Sequence, residues 1–126
     1  MRAEIRRGQG FAEVKSNEGC YILEVSNDPG DEEVSIARAR VEPGVTTRWH
    51  RLRQAAERYV IVSGKGLVEI RGVAPAGVES GDVVRIPPGA AQRITNTGEG
   101  DLLFYCVCSP RFRAEDYEDL EVSCNG

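Results

Sequence analysis

The stretch T-R-W-H-R-L-R, Thr47 to Arg53, carries the only histidine of the chain, His50. An imidazole exchanges protons near neutral pH and is a common metal ligand. Two residues on, on the same face of a strand, stands Leu52, which can do neither. Arginine crowds the region: Arg48, Arg51, Arg53 and Arg58 lie within eleven residues. Such a cluster reads as a solvated strand edge or as an anion clamp beside a pocket. Cys20, Cys106, Cys108 and Cys124 form no C-x-x-C pair, so their spacing is not that of a zinc ribbon. On a strand, Cys106 and Cys108 share a face about 6.6 Å apart, either as small apolar packing residues or as thiols lining a pocket.

Short strands must position these groups. C-Y-I-L-E-V (20–25) ends at N-D-P-G-D, and V-S-I-A-R-A-R-V (34–41) alternates apolar and polar before E-P-G. Further strands are predicted over 45–51, 57–62, 67–71, a short V-E, 82–86, 91–95 and 102–108, broken by S-G-K-G, P-P-G and N-T-G-E-G. Only 114–120 offers helix, as a short irregular or helical C-terminal tail. Eight or more strands with turns every eight to twelve residues indicate an all-β antiparallel sandwich or barrel. With no linker or repeat, 1–126 reads as one domain.

Hydrophobic residues make up 40% and charged ones 29%, as in an ordinary globular protein. The net charge of -4 gives no electrostatic case for nucleic acid or an anionic membrane as partner. No apolar run approaches the roughly 18 residues that span a bilayer, and the first ten residues lack a signal-type apolar region. With the N-terminus taken as native, this predicts a cytoplasmic protein with reduced thiols.

Two glycine-framed segments narrow the reading. The first runs Gly44, five residues, His50, one, Leu52, four, Glu57, six, Gly64; the second runs Gly81, five residues, Pro87, Pro88, Gly89, two, Gln92, three, Asn96. This framework resembles the two motifs of the cupin superfamily, G-x5-H-x-H-x(3–4)-E-x6-G and G-x5-P-x-G-x2-H-x3-N. The resemblance covers 44–96, with motif 1 at 44–64 and motif 2 at 81–96, and implies a single-domain double-stranded β-helix, or jelly-roll barrel. In the family, three imidazoles and one carboxylate typically hold a divalent metal inside the barrel. Those positions fall here on His50, Leu52, Glu57 and Gln92. Leucine has no ligand atom, and an amide oxygen is a weak ligand suited to hard cations. The set His50, Glu57 and Gln92 therefore implies one divalent metal ion held weakly, or none.

Alternation adds neighbours. Thr46 and Arg48 would share the inward face of His50, and Tyr59 and Ile61 that of Glu57. A buried Arg48 would pair with Glu57 or await an anionic ligand. Either Tyr105 or the Phe104/Cys106/Cys108 face would line the cavity. Catalytic candidates are thus His50 and Glu57, with Arg48, Tyr59 and Gln92 as ligand-binding residues. Two functions follow: an isomerase- or lyase-type enzyme, metal-dependent or with His50 as base, on a small oxygenated or anionic metabolite; or a non-catalytic small-molecule binder with a decayed metal site. The missing imidazoles count against an iron dioxygenase. The resemblance also implies a homodimer.

Overall fold

The period-2 stretches become eleven strands in the computed structural model, which describes residues 1–8 and 12–121. They are β1 (Val14–Lys15), β2 (Tyr21–Ser26), β3 (Ser35–Val41), β4 (His50–Leu52), β5 (Ala56–Ser63), β6 (Lys65–Ile70), β7 (Ala76–Glu79), β8 (Val83–Ile86), β9 (Gln92–Asn96), β10 (Leu102–Ser109) and β11 (Tyr117–Asp119). Two antiparallel sheets result, in the orders β1-β2-β3-β10-β5-β8 and β11-β4-β9-β6-β7. This is the jelly-roll architecture expected from the sequence. Cys124 lies outside the described residues. Among the described residues, no helix is long and apolar enough to cross a membrane.

The inward faces meet in one core containing Ala39, Val41, Tyr59, Ile61, Ile94, Leu102 and Phe104. On β5 the residues Glu57, Tyr59 and Ile61 are buried while Val60 faces out, as alternation predicts. A smaller cluster forms around Leu52, Ala55 and Cys108, with Phe112 and Tyr117 packed against it. Leu52 thus spends its side chain on apolar packing.

The framework residues prove to be architectural. Gly64, between β5 and β6, has φ +91°, and a Cβ there would lie 2.7 Å from the Asp101 carbonyl oxygen. Neither the backbone angle nor that approach tolerates a side chain. Asn96 ends β9 with its side chain buried. Its Nδ2 donates to the carbonyl oxygens of Val41 and Gly100, each at 2.8 Å, and its Oδ1 accepts from the Gly98 N–H at 2.8 Å.

Two segments differ from expectation. The strand predicted over 45–51 is regular only at its end, where β4 covers His50–Leu52. Before it, Thr47 is fastened to β9 by its N–H to the Ile94 carbonyl and by the Ile94 N–H to its hydroxyl. The Arg48 N–H donates instead to the Glu18 carbonyl at 3.0 Å. Two buried residues three positions apart, Thr47 and His50, break the two-residue period, so Thr46 and Arg48 do not share the histidine's face. The C-terminal tail makes one 3-10 turn at Ala114–Asp116 and then strand β11, which pairs with β4. An acidic segment with few apolar residues forms a strand because β4 offers it a free edge and arginine partners, Arg51 and Arg53 to Glu118.

Candidate ligand-binding site in the barrel

Between the sheets lies a cavity of about 480 Å³, a size suited to a small-molecule ligand. Its walls are mainly apolar, with Ile94, Phe104 and Phe112 among them, and its polar groups include Thr47, Glu57, Tyr59 and Glu18. On β10 it is the Phe104/Cys106/Cys108 face that lines the cavity. Register explains this placement: Phe104, Cys106 and Cys108 stand opposite Ile61, Tyr59 and Glu57, the inward residues of β5.

Glu57 is 8% exposed and held from two sides. The Gln92 Nε2 donates to its Oε1 at 2.9 Å, while the Tyr59 hydroxyl donates to the Gln92 Oε1. The Cys108 thiol approaches its Oε2 at 3.8 Å. Burial, reinforced by the nearby charge of Glu18, pushes the Glu57 carboxyl up to about 7. A carboxyl tuned there can give or take a proton at neutral pH. Burial also raises Cys20, to about 12, and holds Cys106 and Cys108 above the usual thiol range. These are neutral wall groups rather than activated nucleophiles.

His50 is 2% exposed. Its Nδ1 lies 2.7 Å from the Arg48 carbonyl oxygen, its ring stacks on Tyr117 at 5.3 Å, and its Nε2 is 3.8 Å from the Glu18 Oε2. The carbonyl contact assigns the proton of the neutral ring to Nδ1. Arg48, expected inward, instead lies outside the cavity lining: its side chain is 38% exposed and donates to Asp119 at 2.9 Å. The fold thus brings Glu57, Tyr59 and Gln92 into one hydrogen-bonded chain, sets His50 beside them on β4 opposite Gln92, and leaves Arg48 outside. Trp49 is half-buried and lies outside the cavity lining, with the guanidiniums of Arg93 and Arg71 over its ring at 4.5 and 5.0 Å.

Tested as metal ligands, His50, Glu57 and Gln92 do not fit. The amide of Gln92 is engaged at both ends, by Tyr59 and Glu57, and the Nε2 of His50 faces Glu18. Among the described residues, no group of three His, Cys, Asp or Glu side chains is placed to hold a metal ion. Sequence reasoning missed Glu18 and Tyr117. Both come from segments outside the motifs, and only tertiary packing brings them to His50.

Residues 37–108 match the family described as Cupin domain. The chain belongs to the cupin family. This cupin is 34% identical over 87 residues to an uncharacterized protein of Methanocaldococcus jannaschii, covering 69% of each chain. Its fold is similar to that of a Streptomyces PAC13 variant solved with uridine, at a TM-score of 0.78 and 16% identity over 95% of this chain and 92% of that one. A structure described as Pac13, a unique nucleoside dehydratase, aligns equally well, with a TM-score of 0.78 and 15% identity over 94% and 92%. KdgF from Halomonas sp. follows, with a TM-score of 0.75 and 17% identity over 86% and 96%. At these identities the solved structures share the fold with this cupin.

Proposed function

We propose that this cupin binds a small uncharged, oxygen-bearing molecule in its barrel and moves a proton on it, with Glu57 as the general acid–base. The observation that carries this reading is the Glu57 carboxyl, buried in the cavity wall, oriented by Gln92 and tuned to about 7. An isomerase- or lyase-type reaction requires one group that takes a proton and returns it, and this carboxyl suits both steps. Tyr59 and Gln92 position it. The wall argues for a neutral ligand over the anion considered from sequence: its described residues include Glu18, Glu24 and Glu57 but neither Lys nor Arg. Uridine bound by PAC13 is one example of an uncharged, hydroxyl-rich molecule held in this fold.

The test uses uridine, a set of uncharged polyols and matched carboxylates of similar size. Calorimetry should give binding of neutral members and none of the carboxylates. Mass spectrometry then reads loss of water or isomerisation. Glu57→Gln is isosteric and keeps an acceptor for Gln92, so binding should survive while turnover falls by about 10²-fold or more. Preferred binding of carboxylates would overturn the ligand class; full turnover by the variant would overturn the role of Glu57.

A second reading is a non-catalytic binding module, favoured by Leu52, which places packing where the family places a ligand atom. Binding with no turnover in either protein would select it. Val60 and Val83, paired across β5 and β8, are both exposed on the outer face of the larger sheet, which supports the homodimer expected from the sequence.

A further inference from the structure

His50 occupies the motif position, yet it is not among the described residues that line the cavity; Glu18 is. We propose that Glu18, on the turn between β1 and β2, is the group that meets the ligand at this side of the cavity, and that His50 stands behind it as its positioning partner.

The inference rests on the barrel being a binding site and adds a second proton-handling group to it. Geometry supports it at three points. The Glu18 Oε2 lies 3.8 Å from the His50 Nε2; with the ring's own proton on Nδ1, Nε2 is an acceptor, so the two groups interact through one further proton, carried by the carboxyl or by the imidazole. The turn is fastened in place: the Arg48 N–H donates to the Glu18 carbonyl at 3.0 Å, and the Glu18 N–H donates to the Ser16 hydroxyl at 3.2 Å. The imidazole is fixed on its other sides by the Arg48 carbonyl at Nδ1 and by the Tyr117 ring. A ring locked at Nδ1 directs Nε2 at one neighbour, and that neighbour is Glu18. Tyr117 lies on β11 and Glu18 on the β1–β2 turn, both outside the matched segment 37–108. Flanking segments of this chain therefore convert the single retained histidine into half of a carboxylate–imidazole pair. Glu18 and Glu57 then give the cavity two carboxyls, one to donate and one to accept a proton in an elimination or isomerisation.

His50 is the sole histidine, so its imidazole nitrogens are unambiguous in an ¹⁵N-histidine spectrum. Glu18→Gln should shift both ring nitrogens at constant pH, Glu18→Asp should keep most of the wild-type pattern, and the exposed Glu99→Gln should leave it unchanged. In parallel, a water-soluble carbodiimide with glycinamide, read by peptide mapping, should label Glu18 in the wild-type protein. Unchanged imidazole signals in Glu18→Gln would overturn the pairing. If that variant fails to fold, a nitrogen pattern lost in Glu18→Asp overturns it equally. Absence of label on Glu18 would overturn its placement in the cavity wall. Neither readout uses the uridine or polyol ligands, so failure of those to bind is distinguishable from failure here.

Discussion

Asn96→Ala should destabilise the protein by about 3 kcal/mol, measured as the loss of unfolding free energy in urea at fixed pH. The residue is 1% exposed, and its amide makes three hydrogen bonds to main-chain groups of Val41, Gly98 and Gly100. Alanine leaves all three groups without a partner, and each unmatched buried polar group costs about 1–3 kcal/mol. The Gly98 and Gly100 groups are only part-buried, so water recovers some of that loss and the sum stays near the low end. A loss of this size is a large fraction of the total stability of a small domain, typically about 5–15 kcal/mol. The exposed neighbour Thr97→Ala should stay within about 0.5 kcal/mol. A loss below about 1 kcal/mol for Asn96→Ala would mean that the turn re-forms its bonds with water.

Asn96 also illustrates which features a sequence exposes. Two of its three bonds are local, to the turn that follows β9, and these leave a positional trace; the third reaches the end of β3, 55 positions earlier. Residues that act at short range, such as the turn glycine Gly64 or the alternating Glu57, Tyr59 and Ile61, leave a periodic or positional trace. The two-sheet barrel and the inward face of β5 were therefore legible. The 45–51 segment was not, because its backbone partners are divided between Ile94 on β9 and Glu18 on a distant turn. That division carries Arg48 out to Asp119 and turns Thr47 in. The same limit hid Glu18 and Tyr117. Nothing in S-N-E-G-C or E-D-Y-E-D distinguishes a residue that closes on a histidine 32 or 67 positions away from one that faces solvent. For the ligand set the letters were informative in a negative sense. Leu52 removes one ligand atom, and the structure shows the packing cluster that took its place.

The stability of this cupin should fall as pH rises from about 5 to 8, and Glu57→Gln should remove most of that fall. Folding raises the Glu57 carboxyl from 4.5 to about 7, so across that window the native state holds a proton that the unfolded chain has released. The stabilisation is fully present below the unfolded value and is lost as pH passes through the folded one. The span corresponds to up to about 3 kcal/mol. Glu18 is raised by burial as well and acts in the same direction, so the variant should keep a shallow residual slope. Carboxylates held low, Glu13 by its hydrogen bond from Arg40, Glu118 by that from Arg51 and Asp119 by the Glu121 N–H, act in the opposite sense. Their contribution is lost only as pH falls below the ordinary carboxylate range, which places the stability maximum near pH 5. The amide introduced by Glu57→Gln is neutral at every pH and can still accept from Gln92, so the variant should match the wild type near pH 5 and exceed it at pH 8. Urea unfolding at pH 5, 6, 7 and 8 reads both slopes. Parallel curves would show that the Glu57 carboxylate is already ionised at pH 5, and the proton-transfer role assigned to it would go with that result.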